Sequence, residues 1–235
     1  MNQAVLSEAA RLGLTLERDG GGRYVAYYGA LVAQSYTKVP GFEPSRTVID
    51  VGAQYGDYAL LSAKKYGADV YAFEPLPANF ATLERNILAN HLQESIHAAH
   101  KAVGRKRGTT QLRHSGDLTR RAGDQTVTVD VVAIDDLQVS PSLLKVDVEG
   151  MEMEVLEGAR STVDRWSPKM IVETHSKVLR RCVDNFLGNL GYRCVFVDPI
   201  PRSQHEKWMD EQSNRFYLRD RASSERLAST QRSAD

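Results

Sequence analysis

Only two cysteines occur in 235 residues, Cys182 and Cys194, and they lack the close spacing of a zinc knuckle or a redox pair. Both are expected to be reduced and buried in the core. Net charge is missing too: 30 basic residues balance 30 acidic ones, so no overall field draws the chain to nucleic acid or an anionic membrane. Nowhere do about 18 apolar residues run together, so no membrane span is expected. Glu8 and Arg11 interrupt the apolar stretch near the N-terminus, where a secretory leader needs an unbroken one. A cytoplasmic protein is the expectation. No internal repeat is visible, and one α/β domain accounts for the length.

Past Thr47 the sequence becomes short β-branched runs alternating with helix-length amphipathic segments, the pattern of βαβ units and a parallel sheet. Val48 to Val51 reads as a buried strand, stopped by Gly52-Ala53-Gln54-Tyr55-Gly56, after which Asp57 can cap a helix. Asp69 to Phe73 is a second strand, with Pro77 in the first turn of the next helix. A third strand is expected near Ile96 to Val103, then a polar hairpin and the alternating run Val127, Val129, Val131. Leu143 to Asp147 and Met170 to Glu173 supply two more core strands. Between them a helix opening at Glu149-Gly150 carries Val155, Leu156, Ala159, Val163 and Trp166 on one stripe. A helix over 177–190 stops at Gly191, and Cys194 to Val197 and Phe216 to Leu218 close the sheet. Residues 1–45 form an N-terminal helix and hairpin extension, with the hairpin turn at Asp19 to Gly22 leading into Tyr24 to Tyr28. Residues 46–220 form the main domain with a basic flap at 104–123, and 221–235 form a disordered tail.

In an open α/β sheet, ligands bind beyond the carboxyl ends of the strands, where a glycine turn lets backbone come close. Glycines after a first strand often serve only the turn, so the loop at 52–56 gains meaning from Glu74. That acid ends the second strand about 20 residues on, where such folds place a carboxylate to accept from ribose hydroxyls. Loop and acid together point to an adenosine ligand. A pyrophosphate calls for G-x-G-x-x-G, whereas the spacing here is G-x-x-x-G, with Gln54 at the middle position and Asp50 and Asp57 placed to repel phosphate. S-adenosylmethionine, cationic and free of phosphate, fits these acids better.

Val48-Ile49-Asp50-Val51-Gly52-Ala53-Gln54-Tyr55-Gly56-Asp57-Tyr58, followed by Ala72-Phe73-Glu74-Pro75, resembles the FkbM-type methyltransferase family. Leu144-Lys145-Val146-Asp147-Val148-Glu149-Gly150-Met151-Glu152, Val155-Leu156-Glu157-Gly158-Ala159 and Ile171-Val172-Glu173-Thr174-His175 resemble that family's later blocks, in order. The resemblance covers roughly 47–197. Gln54 departs from it, since the family usually shows Asn there. The resemblance implies a doubly wound, Rossmann-like class I methyltransferase sheet, mostly parallel with an antiparallel strand near the C-terminus. It implies that Asp50, the loop Gly52, Ala53, Gln54, Tyr55 and Gly56, and Asp57 face the methionyl part of S-adenosylmethionine, with Asp147 also near the cofactor. Glu74 and Pro75 would hold the ribose, and Ala102, within Lys101-Ala102-Val103, would lie against the adenine. It further implies O-methylation of a hydroxyl on a sugar, glycolipid or secondary metabolite.

Asp147 and Glu149 stand two residues apart at a strand end, as do Glu173 and His175, so each pair shares a face if its strand continues. Four ionisable groups can then meet beside the cofactor. A hydroxyl nucleophile needs a base; the assignment divides between Asp147 and His175, with Glu149 beside them and Glu173 toward the acceptor. In the plainer alternative Glu149 caps the following helix and His175 bonds a loop carbonyl. Mg2+ is compatible with the carboxylates but not favoured, zinc less so, and no metal ligands are assigned. Arg113 and Arg120, in a run with Arg105, Lys106, Arg107 and Arg121, belong either to a solvated flap or to a clamp on an anionic acceptor. No aromatic or basic-helix motif supports nucleic-acid binding. The rival readings are an NAD-dependent oxidoreductase, disfavoured by the loop spacing, and a non-catalytic adenosine-ligand module, which would keep the loop and Glu74 while tolerating loss of the acidic cluster.

Overall fold

The computed structural model describes residues 1–18, 24, 27–114, 125–199 and 212–219. In chain order the elements are α1 (Asn2–Leu12), α2 (Tyr28–Leu31), β1 (Thr47–Val51), α3 (Asp57–Tyr66), β2 (Asp69–Phe73), α4 (Pro77–Ala89), β3 (Ile96–Ala99), β4 (Ala102–Val103), β5 (Gly108–His114), β6 (Gln125–Val132), β7 (Leu143–Val146), α5 (Glu152–Glu157), α6 (Arg160–Trp166), β8 (Lys169–Thr174), α7 (Lys177–Asn189), β9 (Tyr192–Pro199) and β10 (Ser213–Arg219).

Seven strands form one sheet in the order β3-β2-β1-β7-β8-β10-β9. The first five run parallel, and β10 is antiparallel to both β8 and β9. This is the doubly wound, mostly parallel sheet expected from the alternation. The order reverses between β1 and β7, and that switch point is where such sheets open a crevice at their carboxyl ends. Both faces of β1 and β7 are covered, which explains their unbroken apolar runs: Val48, Ile49, Leu144 and Val146 are all fully buried. Two cores result, one per face. Val48, Leu60 and Leu83 belong to one, and Ile49, Val146, Leu156 and Val163 to the other.

The N-terminal segment packs into the first of these cores through Val5, Ala9, Tyr27, Leu31, Tyr36 and Phe42. The expected hairpin turn at 19–22 lies outside the described residues, and Tyr28, at the end of its second arm, begins helix α2 instead.

Several boundaries differ from the sequence reading. The single strand expected over 96–103 is two: β3 joins the main sheet, whereas β4 turns away to pair with β6 in a second sheet of order β4-β6-β5. The expected flap is the β5–β6 hairpin of that sheet, with residues 115–124 outside the described set. The helix expected at Glu149-Gly150 opens at Glu152 and breaks at Gly158, where Gly104 approaches so closely that a Cβ would stand 2.1 Å from its carbonyl oxygen and only glycine fits. The break also turns Trp166 out of the stripe, leaving it 46% exposed. The cysteines are free, but the core expectation fails: Cys182 is exposed on α7 and Cys194 is half-buried. Gly191, with φ +79°, does take the left-handed position just past α7. The tail at 221–235 lies outside the described residues. Among the described residues no helix is long and apolar enough to cross a membrane.

Candidate active site

The loop after β1 reaches its shape by alternating left-handed residues: Gly52, Gln54 and Gly56 have φ of +78°, +50° and +89°. Gly52 allows contact rather than mere turning, since a Cβ on it would lie 1.8 Å from the carbonyl oxygen of Asp147. Gly56 is the N-cap of α3, and a Cβ there would meet Leu83 at 2.5 Å. Asp57 therefore does not cap α3 from outside. It occupies the helix's first turn, where its Oδ1 accepts from the Tyr58 N–H at 2.8 Å. Gln54 carries the positive φ at some strain, because left-handed backbone suits Asn better than longer side chains.

Glu74 supports this loop from the end of β2. It is 4% exposed, and its oxygens accept from the backbone N–H of Gln54 at 2.9 Å, that of Leu76 at 2.8 Å and the Asn79 amide at 3.3 Å. Burial raises its pKa, and those three donors oppose the rise. Beside it the Pro75 carbonyl faces His100 Nε2 at 3.0 Å, and the His100 ring stacks on Phe80 with centroids 5.0 Å apart. The second carboxylate and a flat aromatic surface thus flank the loop on the side where the sequence places ribose and adenine. Ala102, at the start of β4, lines a cavity of about 320 Å³ with Arg105, Met151 and Glu154.

Lys145 on β7 ties the loop to Asp147. Its ammonium lies 3.0 Å from Asp50 Oδ1, 3.2 Å from the Gly52 carbonyl oxygen and 3.8 Å from Asp147 Oδ2. Burial disfavours its charge, but Asp50, Asp147 and Asp57 outweigh burial and raise its pKa. Asp50 itself is fully buried, and burial raises its pKa despite Lys145. Burial likewise pushes Asp57 up to about 7, with Lys145 opposing and Asp50 and Asp147 adding. From the N-terminal segment, Tyr36 donates to Asp147 Oδ2 at 3.4 Å, and the Lys145 ammonium lies 5.2 Å from its ring centroid.

The carboxylates converge on His175, though not through continued strand geometry. Thr174 ends β8, and Glu149 sits in a left-handed turn at φ +53°. His175 lies 3.9 Å from Asp147, 3.8 Å from Glu149, 3.9 Å from Glu173 and 3.3 Å from Glu152. Burial works against its charge, but Glu152, then Glu173 and Glu149, prevail and push its pKa up to about 9. Glu173 is buried, accepts from the Gln212 amide and is pushed up to about 8, first by burial and then by Asp147. The α5 N-cap is Met151, without a side-chain cap, so Glu149 does not serve as the expected cap.

Sequence reasoning brought Asp147, Glu149, Glu173 and His175 together but passed over Glu152, Lys145 and Tyr36. Glu152 is fully buried; a charged residue on the first turn of a helix, three residues past Glu149, was the available signal. The basic flap is partly accounted for by pairing. Arg105 bridges Glu154 and Glu157, and Arg107 lies 4.0 Å from Asp136. The side chain of Arg113, and Arg120 altogether, lie outside the described residues.

Residues 50–194 match the family model of the methyltransferase FkbM domain. The chain belongs to the FkbM methyltransferase family. It is 32% identical over 152 residues to Methyltransferase 1 of Beauveria bassiana, covering 51% of this chain and 61% of that protein. It is 30% identical over 156 residues to the hexuronic acid methyltransferase AglP of Haloferax volcanii, covering 59% and 60%. The chain thus spans about three fifths of the length of these two relatives. Among solved structures, the FkbM methyltransferase of Methylobacillus flagellatus superposes with a TM-score of 0.58 at 21% identity, over 81% of this chain and 47% of that one. A human methyltransferase 10 domain containing protein superposes at 0.55 and 12% identity, over 92% and 93%. These superpositions show that the fold of this FkbM-family chain is that of known methyltransferases.

Proposed function

We propose that this FkbM methyltransferase uses S-adenosylmethionine to methylate a hydroxyl of a sugar-like or secondary-metabolite acceptor. The observation that carries the reading is the contact of cofactor loop and acid floor. The Gly52 backbone touches the Asp147 carbonyl, and Lys145 bridges Gly52, Asp50 and Asp147. A ligand seated on the loop is thereby next to the groups that would receive the acceptor. The residues fit the cofactor's chemistry: acids at 50, 57 and 74 suit a cation with ribose hydroxyls, and Asp50 Oδ2 has no hydrogen-bond partner among the described residues.

When bound, S-adenosylmethionine would supply an electrophilic methyl, the C–S electron pair leaving with sulfur as the acceptor oxygen takes the carbon. Asp147 takes the hydroxyl proton. His175, with a pKa pushed to about 9, holds its own proton at neutral pH and is therefore not the free base; its imidazolium steadies the carboxylates around it. Tyr36 and Lys145 fix the far oxygen of Asp147. The sugar-like acceptor draws support from the relative that methylates a hexuronic acid. An NAD-dependent reading has no observation in its favour, since Asp50 and Asp57 would face a pyrophosphate. The test is a screen of hydroxylated sugars for S-adenosylhomocysteine release. Asp147→Asn should lower kcat by about 10²- to 10⁴-fold while retaining S-adenosylhomocysteine binding; unchanged turnover would remove Asp147 from the chemistry.

A further inference from the structure

The geometry points to a divalent-cation site formed by Asp147, Glu149 and His175 on the reaction floor. One ligand atom from each of these residues lies within 4.8 Å of the other two, a spread that small side-chain movements close onto one ion. The donor set is one imidazole and two carboxylates, suited to Mn2+ or a similar first-row cation rather than to the all-oxygen cages of Ca2+.

Two further observations favour a ligand here over a merely acidic surface. Glu152 is fully buried behind His175, 3.3 Å from Nε2, and its Oε2 has no hydrogen-bond partner among the described residues. A carboxylate behind a histidine is the arrangement that fixes the ring of a metal-bound imidazole, the second nitrogen donating to the acid while the first faces the ion. Here Nδ1 faces Glu149 at 3.8 Å, while Asp147 lies 3.9 Å from Nε2 on the Glu152 side of the ring, so Asp147 joins an ion at Nδ1 by turning its carboxylate toward Glu149. Asn214, 1% exposed, lies opposite Glu173 across the β8–β10 ladder and so on the same sheet face. Neither of its amide atoms has a partner among the described residues, which leaves a donor and an acceptor beside the cluster for an ion-bound water or an acceptor hydroxyl.

The cation's role rests on the reading of this floor as the place of methyl transfer. Holding the acceptor hydroxyl oxygen as a further ligand, it would make that oxygen's proton easier to lose. The proton would leave to water, since Asp147 would hold the ion through one oxygen and is engaged by Tyr36 and Lys145 at the other, and the acceptor oxygen would stay aligned with the methyl.

The test is titration of the full chain with Mn2+ alone, followed by calorimetry and by the loss of the free-ion paramagnetic signal, at pH of about 8, where the cation displaces the proton that His175 otherwise holds. S-adenosylhomocysteine binding is measured on the same samples. One equivalent of Mn2+ should bind to wild type. Glu149→Gln, at a side chain 78% exposed and so neutral to folding, should weaken binding at least tenfold, and Glu152→Gln should weaken it by about 10- to 100-fold. Absence of stoichiometric Mn2+ binding, or binding unchanged in Glu149→Gln, overturns the site. Either result with S-adenosylhomocysteine still bound overturns the cation alone and leaves the methyl-transfer reading standing. Mn2+ binding without S-adenosylhomocysteine binding sustains the site and defeats that reading instead.

Discussion

Replacing Lys145 with methionine keeps the side chain's length and removes its charge. Asp50 and Lys145 form an ion pair at 3.0 Å with side-chain exposures of 0% and 3%, so water screens almost none of it. Removing one partner of a buried pair leaves an uncompensated charge, typically at a cost of about 3–5 kcal/mol. For a chain of this length that corresponds to a fall in Tm of about 6–20 °C. The loss should depend on pH. Without Lys145 the carboxyl of Asp50, already raised above its ordinary value of 3.8 by burial, rises further. The folded variant then binds that proton more tightly than the unfolded chain does. Its stability falls as pH rises from 3.8 toward the new folded value, and the deficit against wild type is smaller in acid than at neutral pH. In wild type the Lys145 pKa is raised above 10.5, so its contribution is complete at neutral pH. Thermal melts of wild type, Lys145→Met, Asp50→Asn and the double variant check the reasoning. The double variant should melt above Lys145→Met. A Lys145→Met melt within about 2 °C of wild type, or a double variant that loses the sum of the single losses, refutes it.

Gly52→Ala should abolish S-adenosylhomocysteine binding in calorimetry, because its Cβ would occupy the Asp147 carbonyl; retained affinity would mean that the loop is not the cofactor's seat. Affinity for S-adenosylmethionine should fall toward about tenfold per pH unit below pH 7 and level off above it, because Asp57 must lose its proton near 7 to attract a cation. The slope should vanish in Asp57→Asn, and a flat wild-type profile would remove Asp57 from the site. Tyr36→Phe should cost about 1 kcal/mol, the worth of a hydrogen bond. Tyr36→Ala should cost about 3–5 kcal/mol in urea unfolding, because it also empties core space against Tyr58. A negligible loss in Tyr36→Ala would show that the N-terminal segment is not part of the core.

Legibility followed locality. The strands of the parallel sheet and their order class could be read because both faces of β1, β7 and β8 are covered, so burial writes itself into consecutive residues such as Val48 to Val51. The family blocks were readable for the same reason of short range: Asp147, Glu149 and Glu152 fall within six residues. What escaped depends on contacts made far along the chain. Tyr36 reaches Asp147 from 111 positions away, and nothing near Tyr36 marks it as a site residue. The break falls at Gly158, where Gly104 comes close, a backbone approach with no periodic signature. Trp166 fitted its stripe only while α5 and α6 were taken as one helix. Cys182 was expected inside because cysteine is commonly buried, yet it takes an exposed position on α7. His175 was a candidate base, and its elevation to about 9 needs Glu152 and Glu173 placed around it.

Thermal-shift titration decides whether the loop at 52–56 and Glu74 seat S-adenosylmethionine. Wild type and Glu74→Ala are melted with S-adenosylmethionine, S-adenosylhomocysteine and NAD. At about 100 times its dissociation constant a ligand stabilises by about 2.7 kcal/mol, or about 5–10 °C for a chain of this length. A shift of that size with the first two ligands, absent with NAD and lost in Glu74→Ala, is the predicted result. A shift with NAD alone, or none with any of the three, contradicts the account.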